Sequence, residues 1–174
     1  LDAVTGKKID RVVKGNRSIN FEELKFLQPG ISWSPDSKQI VIAAKSGAHD
    51  ALYLIDVNTG KEKKINFNLD GVFTASWSPD GKQLAFVGNE GGASDIYLYD
   101  LDNKEKINIT ADVFSDTEPS WSPDGKTIVF VSDRGGLSNK GETTAKDMLS
   151  HNYDHQDIYT IDVDSVAKVF TDSK

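Results

Sequence analysis

Short apolar runs separated by polar turns recur along the chain. In its middle part, Phe73–Trp77 is a short β-type run, Gln83–Val87 is a more apolar run, and Asp95–Asp100 is rich in aromatic and branched residues. Runs of this length and composition are typical of β-strands. A polar stretch from Lys106 to Thr110 follows a turn and completes a predicted unit of four short strands.

This unit repeats at a fixed period. The sequence Trp-Ser-Pro-Asp begins at Trp33, Trp77 and Trp121, so the spacings are 77 − 33 = 44 and 121 − 77 = 44 residues. In the middle copy, the segment from Ser78 to Gly81 fits a type I turn, because proline presets φ at its second position. A period of this length, anchored by an aromatic residue and a turn, indicates a repeat architecture. Four antiparallel strands per repeat predict the blade of a β-propeller.

We therefore predict an all-β fold, a propeller segment with three complete four-stranded blades and a partial N-terminal blade. The predicted parts are the outer strands of a preceding blade at 1–14, a long inter-blade connection at 15–30, and blades at 31–70, 71–114 and 115–174. Asp95 lies 95 − 77 = 18 residues after its tryptophan, whereas Asp157 lies 157 − 121 = 36 after its own. The third blade therefore carries an insertion of 18 residues, at about 132–156.

Composition excludes several classes of function. The formal net charge of −7 argues against a protein that follows nucleic-acid phosphates, since such proteins present a basic face. The chain has no cysteine, which excludes disulfides, thiolate metal sites and cysteine nucleophiles. No apolar run approaches the roughly 20 residues that span a bilayer, so we expect no membrane insertion by this segment.

The repeat resembles the TolB-type, or WD-like, propeller repeat. The resemblance rests on Ser-Trp-Ser-Pro-Asp-Gly-Lys, a buried strand, Asp-Ile-Tyr and a polar strand ending in Thr, and it extends from Trp33 to Thr171. The chain departs from the pattern at Ser37, where glycine is usual. The resemblance implies a fragment of a larger bacterial propeller-containing protein, in a periplasmic or other extracytoplasmic setting.

The resemblance also implies the class of function. TolB-like propellers suggest a non-catalytic scaffold for protein–protein interaction, with a protein partner and no cofactor. The alternative is a substrate-gating propeller of a prolyl-oligopeptidase-like or tricorn-like hydrolase whose catalytic domain lies outside this chain. The sequence contains no Gly-x-Ser-x-Gly, no phosphate-binding glycine loop and no His-Glu-x-x-His. Self-association that completes the propeller is a further alternative.

Strand alternation places the variable connections on one face of the propeller, where binding usually resides. Glu118 has no acidic equivalent in the other repeats and could face the central channel. The predicted binding-face residues are His49, Asp50, Arg134, Tyr153 and Asp154.

The insertion also contains a candidate metal site. His151 and His155 are four residues apart and could bind a divalent ion together with Asp154 or Asp157. The alternative is a solvated loop with incidental histidines. The repeated residues are predicted to be structural, the tryptophans by inter-blade packing and the aspartates as turn acceptors rather than calcium ligands. They are Trp33, Trp77, Trp121, Asp36, Asp80 and Asp124.

Overall fold

The computed structural model describes residues 4–5, 7, 23–24, 30–47, 49–135, 151 and 155–166. Nearly all of this backbone is β-strand or turn, with a single helical turn at residues 163–166. The strands of the described part are β1 (Glu23–Leu24), β2 (Ile31–Trp33), β3 (Gln39–Ser46), β4 (His49–Asp56), β5 (Glu62–Asn66), β6 (Gly71–Trp77), β7 (Gln83–Glu90), β8 (Ala93–Asp100), β9 (Lys106–Asn108), β10 (Asp116–Trp121), β11 (Thr127–Ser132) and β12 (Asp157–Asp162). Within these residues no helix is long and apolar enough to cross a membrane.

The strands form three antiparallel sheets in chain order. The middle sheet has the order β6-β7-β8-β9, and the third has the order β10-β11-β12. The first sheet runs β3-β4-β5, with both β1 and β2 paired to the free edge of β3. Apart from β1, which pairs with β3, the strands of each sheet pair with their chain neighbours, as short turns require. The molecule is therefore a partial β-propeller in which each sheet is one blade.

The strand β1 lies inside the segment that the sequence predicts to be only a connection, 15–30. Leu24 pairs with Ala44, and Ile31 in β2 pairs with Ile42, two residues earlier in β3. The middle sheet has a register shift at the corresponding place, between Val72 and Ala75. The innermost strand of the first sheet is therefore divided into two parts, β1 and β2. The break lies where the middle sheet has its register shift, and residues 25–30 lie between the two parts in the sequence.

The third sheet has three described strands rather than four. The sequence predicts an outer strand from Val166 to Thr171, but Val166 ends the helical turn at residues 163–166. Asp162 starts this turn, because its Oδ1 accepts a hydrogen bond of 2.8 Å from the backbone N–H of Ser165. Residues 167–171, and most of the partial blade predicted at 1–14, lie outside the described residues.

Two of the three core clusters lie in the seams between neighbouring sheets, and the third lies on the face of β3 and β4 opposite the second sheet. Successive side chains of a strand point to opposite faces, so Leu84 and Phe86 of β7 face the first sheet while Ala85 and Val87 face the third. All four are buried. Each seam is made by the inner strand of one sheet lying across the first three strands of the preceding sheet: β6 lies against β2, β3 and β4, and β10 lies against β6, β7 and β8.

The three equivalent tryptophans are buried to different extents. Trp77 is 8% exposed in the seam between the first and second sheets, and Trp121 is partly buried in the next seam. Trp33 occupies the equivalent position in the first sheet but is 57% exposed. The repeat therefore supplies the same residue three times, and its burial differs from sheet to sheet.

Candidate functional site

The connections divide between two faces of the propeller. One face, called the turn face, carries the turns at residues 34–38, 57–61, 78–82, 101–105 and 122–126. The opposite loop face carries the connections at residues 67–70, 91–92, 109–115 and 133–135, where the insertion begins.

The Ser-Pro-Asp turns of the turn face are held by one repeated set of hydrogen bonds. Ser34 Oγ donates to Asp36 Oδ1 at 2.7 Å, the backbone N–H of Lys38 donates to the same oxygen at 3.1 Å, and that of Gln39 donates to Ser34 Oγ at 2.8 Å. The same bonds recur at Ser78–Asp80 and at Ser122–Asp124. The serine hydrogen bond is the main cause that lowers the pKa of Asp36, Asp80 and Asp124. These aspartates therefore act as turn acceptors.

Two open clefts lie on the turn face, one in each seam. The first has a volume of about 430 Å³ and includes Trp77 and Asp36 in its lining. The second, of about 340 Å³, includes Trp121 and Asp80 at the equivalent places. Because both clefts are lined by the repeated turns, they follow from the spacing of the blades and do not distinguish one seam from another.

The loop face, in contrast, contains one cluster that breaks the repeat. Arg134, at the start of the insertion, is 7% exposed. Its Nη2 donates to both carboxylate oxygens of Asp116, at 2.7 and 2.8 Å, and lies 3.2 Å from Asp112 Oδ2. Its Nε donates to Ser132 Oγ at 2.8 Å. Hydrogen bonds between ionised partners are stronger than neutral ones, so this guanidinium is held firmly in the fold.

Strand register explains why these residues meet. Asp116 opens β10 directly opposite Ser132 at the end of β11, and Arg134 follows two residues later. The guanidinium then lies over aromatic rings from three elements, with distances from Cζ to the ring centroids of 5.6, 5.3 and 5.2 Å for Phe114, Phe130 and Tyr159. These contacts are within the range of cation–π interactions.

Asp95 links this cluster to the middle sheet. Its carboxylate accepts hydrogen bonds from Asn108 Nδ2 at 2.8 Å, Thr110 Oγ1 at 3.1 Å and the backbone N–H of Asp112 at 3.3 Å. Asp95, Asp112 and Asp116 can bring three carboxylate oxygens within 4.8 Å of one another, the one such group of potential metal ligands in the described part of the chain.

Protein groups already satisfy these three carboxylates. Each one accepts hydrogen bonds or an ion pair, and Arg134 supplies a positive charge among them. Burial raises the pKa of Asp116, while Ser132 and Arg134 act in the opposite direction. The cluster thus joins the middle and third sheets through polar contacts at the loop face, where the apolar seam ends.

The two ends of the insertion meet beside this cluster. The ring Nε2 of His151 contacts the backbone oxygen of Asp133, and the Tyr159 hydroxyl donates to the backbone oxygen of Gly135. The His151 ring also packs edge-on against Phe114, with 5.7 Å between centroids. The insertion is therefore closed at its base, although residues 136–150 and 152–154 lie outside the described part.

The predicted binding-face residues have different environments. His49 is exposed and lines a cleft of about 370 Å³ with Asp70 and Glu90. Asp50 is buried, and its Oδ2 accepts a hydrogen bond of 3.2 Å from the backbone N–H of Val72, so it supports the neighbouring sheet rather than presenting a charge to solvent. Arg134 is also buried, in contact with Asp116 and Asp112. Tyr153 and Asp154 lie outside the described residues.

Of the candidate metal residues, His151, His155 and Asp157 are described, whereas Asp154 lies outside the described residues. His151 contacts a backbone oxygen, whereas His155 and Asp157 are exposed. Among the described residues, His151, His155 and Asp157 do not form a group of converging ligand atoms. The cluster that does converge, around Asp116, is one that the sequence interpretation missed. Its signal is a break in the repeat, since Val72 stands where the third blade has Asp116 and Glu90 where it has Arg134.

Glu118 is exposed at the bulge of β10 and has a left-handed backbone, with φ of 54°. The bulge is the register shift between Thr117 and Ser120. A non-glycine residue in this region is strained, and such strain is often found at functional sites. Glu118 does not belong to the group of converging carboxylates in the described part of the chain.

Comparisons with known proteins agree with this architecture. A family model for the TolB beta propeller domain matches residues 15–140. No curated protein matches the sequence significantly. Among solved structures, TolB from Acinetobacter baumannii is 32% identical with a TM-score of 0.61, over 79% of this chain and 30% of that one. A putative TolB from Agrobacterium tumefaciens is 23% identical with a TM-score of 0.62, over 80% of this chain and 47% of that one.

The fold is shared more widely. The tricorn protease is 17% identical with a TM-score of 0.57, over 82% of this chain and 14% of that one. At that identity the likeness concerns the fold alone. The chain spans less than half of each of these structures. Its repeats, its three antiparallel sheets and the family match over 15–140 together show that this chain belongs to the TolB β-propeller domain family.

Proposed function

We propose that this segment is a non-catalytic platform that binds a protein partner through its loop face. The observation that carries the proposal is the buried contact of Arg134 with Asp116 and Asp112, which holds the base of the insertion in one position. A rigid base reduces the conformational entropy that a loop loses when it binds, and so favours binding.

The two faces differ in the way expected of such a platform. The turn face repeats the same short turns with the same hydrogen bonds, whereas the connections of the loop face differ in length and sequence from blade to blade. Variable loops on a rigid scaffold are the usual location of binding. The exposed carboxylates Asp70 and Glu90 beside His49 give the loop face an acidic cleft, consistent with the net charge of −7.

The described chemistry favours binding over catalysis. Glu118 is a single carboxylate, and the chain contains no nucleophile elbow. Family membership supports a periplasmic or other extracytoplasmic setting, as the resemblance to TolB implies.

Photo-crosslinking in a bacterial host tests the proposal. A crosslinking amino acid is placed at Val113 on the loop face or, as the matched control, at Thr59 on the turn face, where each residue is exposed. We expect a discrete protein adduct from position 113 and a weaker or no adduct from position 59. Equal adducts from both faces would contradict a binding site on the loop face.

The second candidate is a propeller that admits substrate to a hydrolase domain carried elsewhere in a longer protein. The likeness in fold to the tricorn protease motivates it. The discriminating observation is the sequence of the complete gene. A Gly-x-Ser-x-Gly domain in the same polypeptide, together with peptidase activity that changes when the propeller is deleted, would favour this candidate over the platform.

A further inference from the structure

We draw no further inference here: the strongest candidate, the acidic cleft of the loop face lined by His49, Asp70 and Glu90, belongs to the binding face already proposed, and nothing in the described part of the chain shows what would fill it.

Discussion

The guanidinium of Arg134 and the carboxylate of Asp116 are buried against each other in the third sheet, 18 residues apart in sequence. Asp116 is fully buried. Its pKa is raised by burial, against the lowering effect of Ser132 and Arg134. The pair therefore lies where a single uncompensated charge is costly.

Replacing Arg134 with methionine should strongly destabilise the fold. The substitution leaves Asp116 and Asp112 buried without their cation, and removal of one partner of a buried ion pair costs about 3–5 kcal/mol. Urea denaturation measures the free energy of unfolding. The matched control is Lys38→Met, whose ammonium lies 3.5 Å from Asp36 in an exposed pair and should contribute less than about 1 kcal/mol. Equal losses for the two variants would show that the Arg134 contact does not stabilise the fold.

Replacing Ser37 with glycine should stabilise the first Ser-Pro-Asp turn. Ser37 has φ of 59°, and the equivalent Gly81 and Gly125 have φ of 74° and 72°. A side chain in this left-handed region costs about 1–2 kcal/mol, partly offset by the greater backbone freedom of glycine in the unfolded chain. We expect the free energy of unfolding to rise by about 0.5–1 kcal/mol.

Gly81→Ala is the reciprocal variant, in the second Ser-Pro-Asp turn. A Cβ at Gly81 would lie 3.7 Å from Pro35 Cδ, an ordinary contact, so its cost should come from the backbone alone. Thermal denaturation should shift upward for Ser37→Gly and downward for Gly81→Ala. Shifts of the same sign would refute the assignment to backbone conformation.

Replacing Ser78 with alanine should reduce stability in a pH-dependent way. The Ser78 hydroxyl is the main cause that lowers the pKa of Asp80 below its ordinary value of 3.8. A lowered pKa in the folded state stabilises the protein above pH 3.8, and that contribution is lost as pH falls through the folded pKa. The deficit of Ser78→Ala should therefore be largest at neutral pH and shrink in acid.

Thermal denaturation of parent and variant between neutral and acidic pH measures this deficit. Ser120→Ala is the control, since Ser120 is exposed in β10 and should show no comparable pH dependence. A deficit of Ser78→Ala that is constant with pH would indicate that the hydroxyl does not act through the carboxylate of Asp80.

Replacing Glu118 with glycine should stabilise the inner strand of the third blade by about 0.5–1 kcal/mol, because φ of 54° is strained for glutamate. Glu118→Gln keeps the strain and removes only the charge, so its stability should match that of the parent. Urea denaturation distinguishes the two variants. A stability gain from Glu118→Gln alone would assign the effect to charge rather than to backbone strain.

Sequence reasoning succeeded where structure is local. The turn from Ser78 to Gly81 is specified by residues within five positions of one another, and the strands that flank it follow from their own composition. Sequence reasoning was incomplete where a residue contacts a partner that is distant along the chain. The sequence predicts Asp50 to be a binding-face residue, whereas its carboxylate accepts a hydrogen bond from the backbone N–H of Val72, 22 residues away.

The 44-residue period is enough to show that this protein consists of propeller blades, because the turns and strands of a blade are encoded within each repeat. Which residues of the loop face are buried and which are exposed depends instead on how the sheets pack. Strand register brings Asp116 opposite Ser132, and the neighbouring sheet adds Asp95, so the partners of Arg134 come from separate segments. Packing against the first sheet likewise makes Trp77 a core residue, whereas Trp33, at the same place in the repeat, is exposed.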